Sequence, residues 1–165
     1  VRLVEIGGAV WVFTTSSQLD FENFSGSARD ENEYGEVTAA GIAGKLELVS
    51  RDGHERVSGQ NGPVQLRADG DVVEVGWVSL NWNEDSRIEN ERGDVTIVVP
   101  GQGGCTVSAE AKYGGVESDV EDIEVSGDGS SATGVIRRQA RPRLDVVAEG
   151  SIRFVQAAGG GDAPE

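Results

Sequence analysis

Residues 39–66 read AAGIAGKLELVSRDGHERVSGQNGPVQL, and one short pattern occurs in them twice. Ala39, Gly41, Gly44, Leu46 and Leu48 form the first copy. Val57, Gly59, Gly62, Val64 and Leu66 form the second, 18 residues on. After the central glycine, apolar and polar residues alternate. Alternate side chains of a strand point to opposite faces, so each copy offers one apolar face to a core.

The pattern extends in both directions. Ile88, Asn90, Gly93, Val95 and Ile97 repeat it, as do Ala109, Ala111, Gly114, Val116 and Ser118. A looser copy near the start uses Leu3, Glu5, Gly8, Val10 and Val12. A copy one residue shorter near the end uses Val146, Ala148, Gly150, Ile152 and Phe154. Gly44, Gly62, Gly93 and Gly114 are 18, 31 and 21 residues apart, so one spacing holds an extra half-coil or a hairpin. No segment carries a 3.6-residue apolar repeat. The chain reads as all-β.

A strand-turn-strand unit recurring about every 20 residues is the mark of a β-solenoid (β-helix). One unit cannot bury its apolar face alone, whereas copies stacked about 4.8 Å apart form a continuous interior. This reading predicts that the four central glycines align vertically at corners. The alternative is a β-sandwich, which also joins short strands by glycine turns. An open end of such a stack needs a cap. Trp11, Phe13, Phe21 and Phe24 are expected to form an aromatic lid over the first coil, followed by an exposed loop from Ser25 to Tyr34 with its Asp30–Glu33 acidic run. The expected division is residues 1–35 as N-terminal cap and acidic loop, 36–156 as the repeat domain, and 157–165 as a flexible, glycine-rich tail.

Composition narrows the function classes. The 165 residues carry a formal net charge of −15, which repels phosphate and excludes a nucleic-acid partner. No window of about 18 apolar residues spans a bilayer. A single cysteine excludes an internal disulfide and every multi-cysteine metal site. Of the 14 basic residues only Lys45 and Lys112 are lysine. A GC-rich genome that favours arginine codons is the plainer reading of that bias; the alternative is a salty habitat, where screening removes the self-repulsion of an acidic, lysine-poor surface. With no methionine and Val1 first, the chain reads as a processed product.

Sites for chemistry are few. His54 is the one histidine and sits in a glycine turn, read as solvated. Cys105 is read as a small buried hydrophobe. Glu117, Asp119, Glu121, Asp122 and Glu124 fall within eight residues. They read chiefly as a solvated acidic face, with Glu117, Asp119, Glu121 and Asp122 as a weak calcium face. No EF-hand or glycine-rich nonapeptide supports it, so no cofactor is expected. Arg137, Arg138, Arg141 and Arg143 read first as partners of that acidic run, and otherwise as a docking surface for anionic polysaccharide or lipid headgroups. Trp77 and Trp82 differ by an odd number, so one regular strand would expose one of them. Such a tryptophan serves as a sugar-stacking or interface residue or, equally, covers the extra half-coil.

The stretch Ile88–Pro100 (IENERGDVTIVVP) and the segment Val107–Asp119 (VSAEAKYGGVESD) resemble the bacterial putative-adhesin family, as do Gly134–Ile136 and Pro142–Phe154. The resemblance covers residues 36–155. It implies a right-handed, single-stranded β-solenoid that is exported to the periplasm, outer surface or extracellular space. The family has no catalytic motif, so no catalytic residue transfers. The expected function is a non-enzymatic cell-envelope or cell-surface module of structural or adhesive kind, with an envelope component, polysaccharide or surface protein as partner. The alternatives are a polysaccharide-active β-helix enzyme and a filament-forming solenoid that self-associates.

Overall fold

A computed structural model describes residues 1–15, 18–70, 72–139 and 141–158. Its strands are β1 (Arg2–Val4), β2 (Val10–Thr14), β3 (Leu19–Glu22), β4 (Ala28–Asn32), β5 (Gly35–Ala40) and β6 (Leu46–Arg51). They continue as β7 (Gly53–Gln60), β8 (Val64–Asp69), β9 (Val72–Trp77), β10 (Ser86–Asn90), β11 (Asp94–Val99) and β12 (Thr106–Ala111). The last are β13 (Val116–Ser118), β14 (Ile123–Val125), β15 (Ser131–Val135), β16 (Arg143–Ala148) and β17 (Ile152–Gln156). Among the described residues one 3-10 turn, Ile136–Arg138, lies between β15 and β16. The chain is all-β, as its alternation requires.

Two sheets share the strands. The first runs β1-β3-β5-β7-β9-β11-β17-β13, the second β14-β15-β12-β16-β10-β8-β6-β4-β2. Up to β13 the chain therefore alternates between sheets, and each early strand pairs in parallel with the one two places later. Leu19 faces Val37, Leu46 faces Val64, and Gly35 faces Gly53, an 18-residue step throughout. Between β8 and β10 the step lengthens to 22, with Gln65 facing Arg87.

Parallel pairing at constant register turns the alternation of each strand into columns of like residues between the sheets. One column is Phe21, Ala39, Val57, Val75, Ile97 and Phe154. Another is Leu48, Leu66, Ile88, Val146 and Ala109. All of these are buried. Burial at roughly 25 cal/mol per Å² of apolar surface makes these columns the main stabilising element.

The glycines align, but in two columns rather than one, which corrects the expected single register. Gly8, Gly26, Gly44 and Gly62 stack where the chain passes into the second sheet, and Gly93, Gly150 and Gly114 stack where it passes into the first. A Cβ on Gly44 or Gly62 would overlap the carbonyl oxygen of the glycine one turn earlier. Both kinds of corner look alike in sequence because each joins an apolar strand to a tight bend, so one pattern fits both.

Three further expectations are corrected. Phe21 and Phe24 do not cover the end of the stack; they lie inside it, edge to face at 5.4 Å. Trp11 and Phe13 face outward from β2 at 70% and 66% exposure. The acidic loop is strand β4, with Asp30 and Asn32 buried and Arg29 and Glu31 turned out. Residues 1–35 thus belong to the same ladders as the rest. Of the expected tail, Ala157 donates its amide to the Val99 carbonyl at 2.8 Å, and residues 159–165 lie outside the described residues.

Candidate functional site

Strand parity decides which side chains reach solvent on the second sheet. With Val10 and Val12 packed against the core, Trp11 and Phe13 must face out. Parallel register then sets two outer rows. Trp11, Arg29, Glu47, Gln65 and Arg87 form one; Phe13, Glu31, Val49, Arg67 and Glu89 form the other.

The rows interlock. The Arg29 guanidinium lies 5.1 Å from the Trp11 ring centroid and donates to Glu31 at 3.2 Å. Arg67 donates to Glu91 through both Nε (3.3 Å) and Nη2 (2.7 Å), and Arg87 donates to Glu89 through Nε at 2.7 Å. Lys45 lies 3.3 Å from Glu47 and 3.5 Å from Glu84. Two shallow hollows follow. One, about 260 Å³, runs from Trp11 past Ala28 and Arg29 to Lys45 and Glu47. The other, about 240 Å³, continues from Arg29 and Glu47 across Val49 and Gln65 to Arg67 and Arg87. Sharing Arg29 and Glu47, they make one track across the strands. Along it four cations, Arg29, Lys45, Arg67 and Arg87, meet five carboxylates, Glu31, Glu47, Glu84, Glu89 and Glu91, so charge nearly balances there on a chain of charge −15.

An exposed indole beside guanidinium and carboxylate forks offers a flat apolar platform ringed by fixed donors and acceptors. That combination suits a ring with one apolar face and hydroxyls at its rim.

The sequence-selected residues lie elsewhere. Trp77 and Trp82 are both buried and stacked, with ring centroids 5.0 Å apart and planes at 28°. Trp77 donates its indole N–H to the Gly62 carbonyl at 3.0 Å. The expectation that one ring is exposed is thereby corrected. β9 ends at Trp77, so Trp82 sits in a loop where strand parity does not apply. Arg137 donates its guanidinium to the carbonyls of Pro100 and Gly103, each at 2.6 Å, and its amide to Asp122 at 2.9 Å. Arg143 pairs with Asp145 at 3.3 Å and donates its amide to Asp85 at 2.8 Å. Arg138 and Arg141 are exposed, and neither forms an ion pair among the described residues.

The acidic run does not converge. Glu117 lies on β13, Asp119 sits 3.6 Å from Arg153, Glu121 is exposed, and Asp122 is taken by the Arg137 amide. Among the described residues no group of three or more His, Cys, Asp or Glu is placed to hold a metal ion. His54 is exposed on β7. Cys105 is fully buried, and burial pushes its thiol up to about 12. At neutral pH such a thiol is not a nucleophile. Trp11 and Phe13 were misplaced by sequence reasoning, although the copy through Leu3, Val10 and Val12 already fixed their parity.

No family model and no curated protein sequence matches the chain. Among solved structures, the crystal structure of a "putative cell adhesion protein" from Clostridium sporogenes is similar at 18% identity and a TM-score of 0.45. The match covers 79% of this chain and 56% of that one, so the chain spans just over half of that neighbour's length. A likeness at that distance assigns neither function nor partner. No helix among the described residues is long and apolar enough to cross a membrane.

Proposed function

We propose that this chain is a non-enzymatic binding module of the cell surface, a right-handed β-solenoid that docks extended neutral polysaccharide along the outer face of its second sheet. The solenoid reading is supported by strands that alternate between sheets and pair in parallel at a fixed step. Its hand follows from the right-handedness of nearly all parallel crossovers. The observation that carries the binding reading is Trp11, 70% exposed, with the Arg29 guanidinium over its ring at one end of a track whose charges nearly balance. A neutral polymer suits that balance, since an anionic one would meet the chain's overall charge. The non-enzymatic reading is supported by the burial of Cys105 and the scattering of the acidic run. Export to the envelope completes the proposal, as the compartment where such polymers are met.

Affinity electrophoresis in gels containing neutral polysaccharides, such as a glucan, a xylan and a mannan, tests it. The parent chain is expected to be retarded by at least one of them, and Trp11→Ala to lose that retardation by tenfold or more. Trp11→Phe should recover part of it. If the parent and Trp11→Ala migrate alike in every gel, the reading fails.

A further inference from the structure

At the C-terminal end of the stack, spatial order departs from chain order. β16 lies between β10 and β12, and β17 lies between β11 and β13. Without these two strands, the edges they separate would face each other, and their registers agree. Ser86 and Val107 both face Leu144, Ile88 and Ala109 both face Val146, and Asn90 and Ala111 both face Ala148. On the first sheet, Val95 and Val116 both face Ile152, and Ile97 and Ser118 both face Phe154. β12 and β13 would therefore close on β10 and β11 with every inward position still inward. Val107 follows Ser86 by 21 residues, near the 22 that separate Gln65 from Arg87. The direct closure is thus an ordinary next turn of the chain.

A second feature lies where the gap is held open. The link from β11 to β12 must cross one extra strand spacing, and Arg137 fastens it by donating to Pro100 and Gly103. Arg137 and its neighbour Arg138 both adopt left-handed backbone, at φ 49° and 56°. Non-glycine residues hold that conformation only when surroundings enforce it.

We infer that residues 143–156 form an inserted rung: the chain has a second, sequential arrangement in which β12–β13 stack directly on β10–β11, and β16–β17 enter between them. Insertion buries Leu144, Val146, Ile152 and Phe154 to 1% exposure or less and lays both new strands against partners on each side. The inserted arrangement is therefore the lower in free energy, with Arg137 as its fastening. The sequential arrangement comes first because its partners are nearer along the chain, and shorter loops close at lower entropic cost.

Disulfide trapping in the full chain tests this, in a Cys105→Ala background. Arg87, Asp145 and Ser108 occupy one outer row, with Asp145 in the middle. Neighbouring positions, about 4.8 Å apart, can be bridged; positions two strands apart, at about 9.6 Å, exceed the roughly 7 Å limit. Arg87→Cys/Asp145→Cys should crosslink in the folded protein. Arg87→Cys/Ser108→Cys should stay reduced when folded, but crosslink when oxidant is present during refolding. Adding Arg137→Ala should raise that trapped fraction several-fold. Gln65→Cys/Asp145→Cys is also two strands apart, with no insert between, and should stay reduced throughout. If the 87/108 pair traps no more than the 65/145 pair, the inference fails. Should the variants misfold, pulsed hydrogen exchange on the unmodified chain decides: amides of 107–111 gain protection before those of 144–148, and simultaneous protection refutes it.

Discussion

Asp30 sits between Val12 and Leu48 on the inward face of β4, 1% exposed. Burial pushes its carboxyl up to about 7, helped by like charge on Glu31 and Glu55. The folded value exceeds the unfolded one of 3.8, so the folded state holds the proton more tightly. Its contribution to stability is complete below the unfolded value and is lost as pH rises through about 7. The slope is at most roughly 1.4 kcal/mol per pH unit in that window. Thermal melts from pH 4 to 8 should show the parent losing stability relative to Asp30→Asn as pH rises. A constant difference between the two profiles would contradict this. Gly44 gives a second residue-scale prediction. Gly44→Ala places a methyl against the Gly26 carbonyl and should cost about 1–3 kcal/mol, as overpacking does. Gly127→Ala meets open space and should be near neutral in the same urea titration.

At the scale of elements, β2, the end of β9 and the loop after it carry the three tryptophans in opposite environments. Trp77 and Trp82 are buried and Trp11 is 70% exposed. Acrylamide should quench one emission component strongly, and Trp11→Phe should remove it while leaving the blue-shifted remainder. Quenching that survives this change would place a second indole in solvent. The planar, paired donors of the Arg137 guanidinium fasten the carbonyls of Pro100 and Gly103 to the 136–138 turn. Arg137→Ala should cost about 1–3 kcal/mol. Arg137→Lys should recover little, because an ammonium cannot reproduce the fork. The identity of β4 shows where sequence reasoning stops at this scale. Its residues, Ala-Arg-Asp-Glu-Asn, read as a solvated loop, since nothing local shows that Asp30 and Asn32 turn inward. The ladder partners Val12, Leu48, Thr14 and Ser50 impose that direction.

The whole molecule balances a net charge of −15 against ion pairs that lie on its surface. Exposed pairs contribute roughly 0–1 kcal/mol each, so screening the general repulsion outweighs weakening them. Raising salt from about 0.1 to 1 M shortens the screening length from about 10 to 3 Å. The melting temperature should rise across that range; a fall would show that the pairs dominate. The sheets' outer faces were legible only in part. The sequence marked Trp77, Trp82 and the 137–143 arginines, whereas the exposed track runs through Trp11, Arg29 and Arg67. A solvent-facing position is defined by parity within a strand, and the strand limits at Trp77 and Val10 were set by tertiary pairing.

Two properties were decided along the chain itself: alternation, which makes strands, and the 18-residue step with its corner glycines, which makes them stack in parallel. Both are local, because side-chain direction and backbone reach depend only on neighbouring residues. Which strand lies next to which was decided in three dimensions. The edges of β10 and β11 present the same inward register to β12–β13 as to β16–β17, so pattern alone cannot choose between them. Burying the last apolar rung on both of its sides makes that choice.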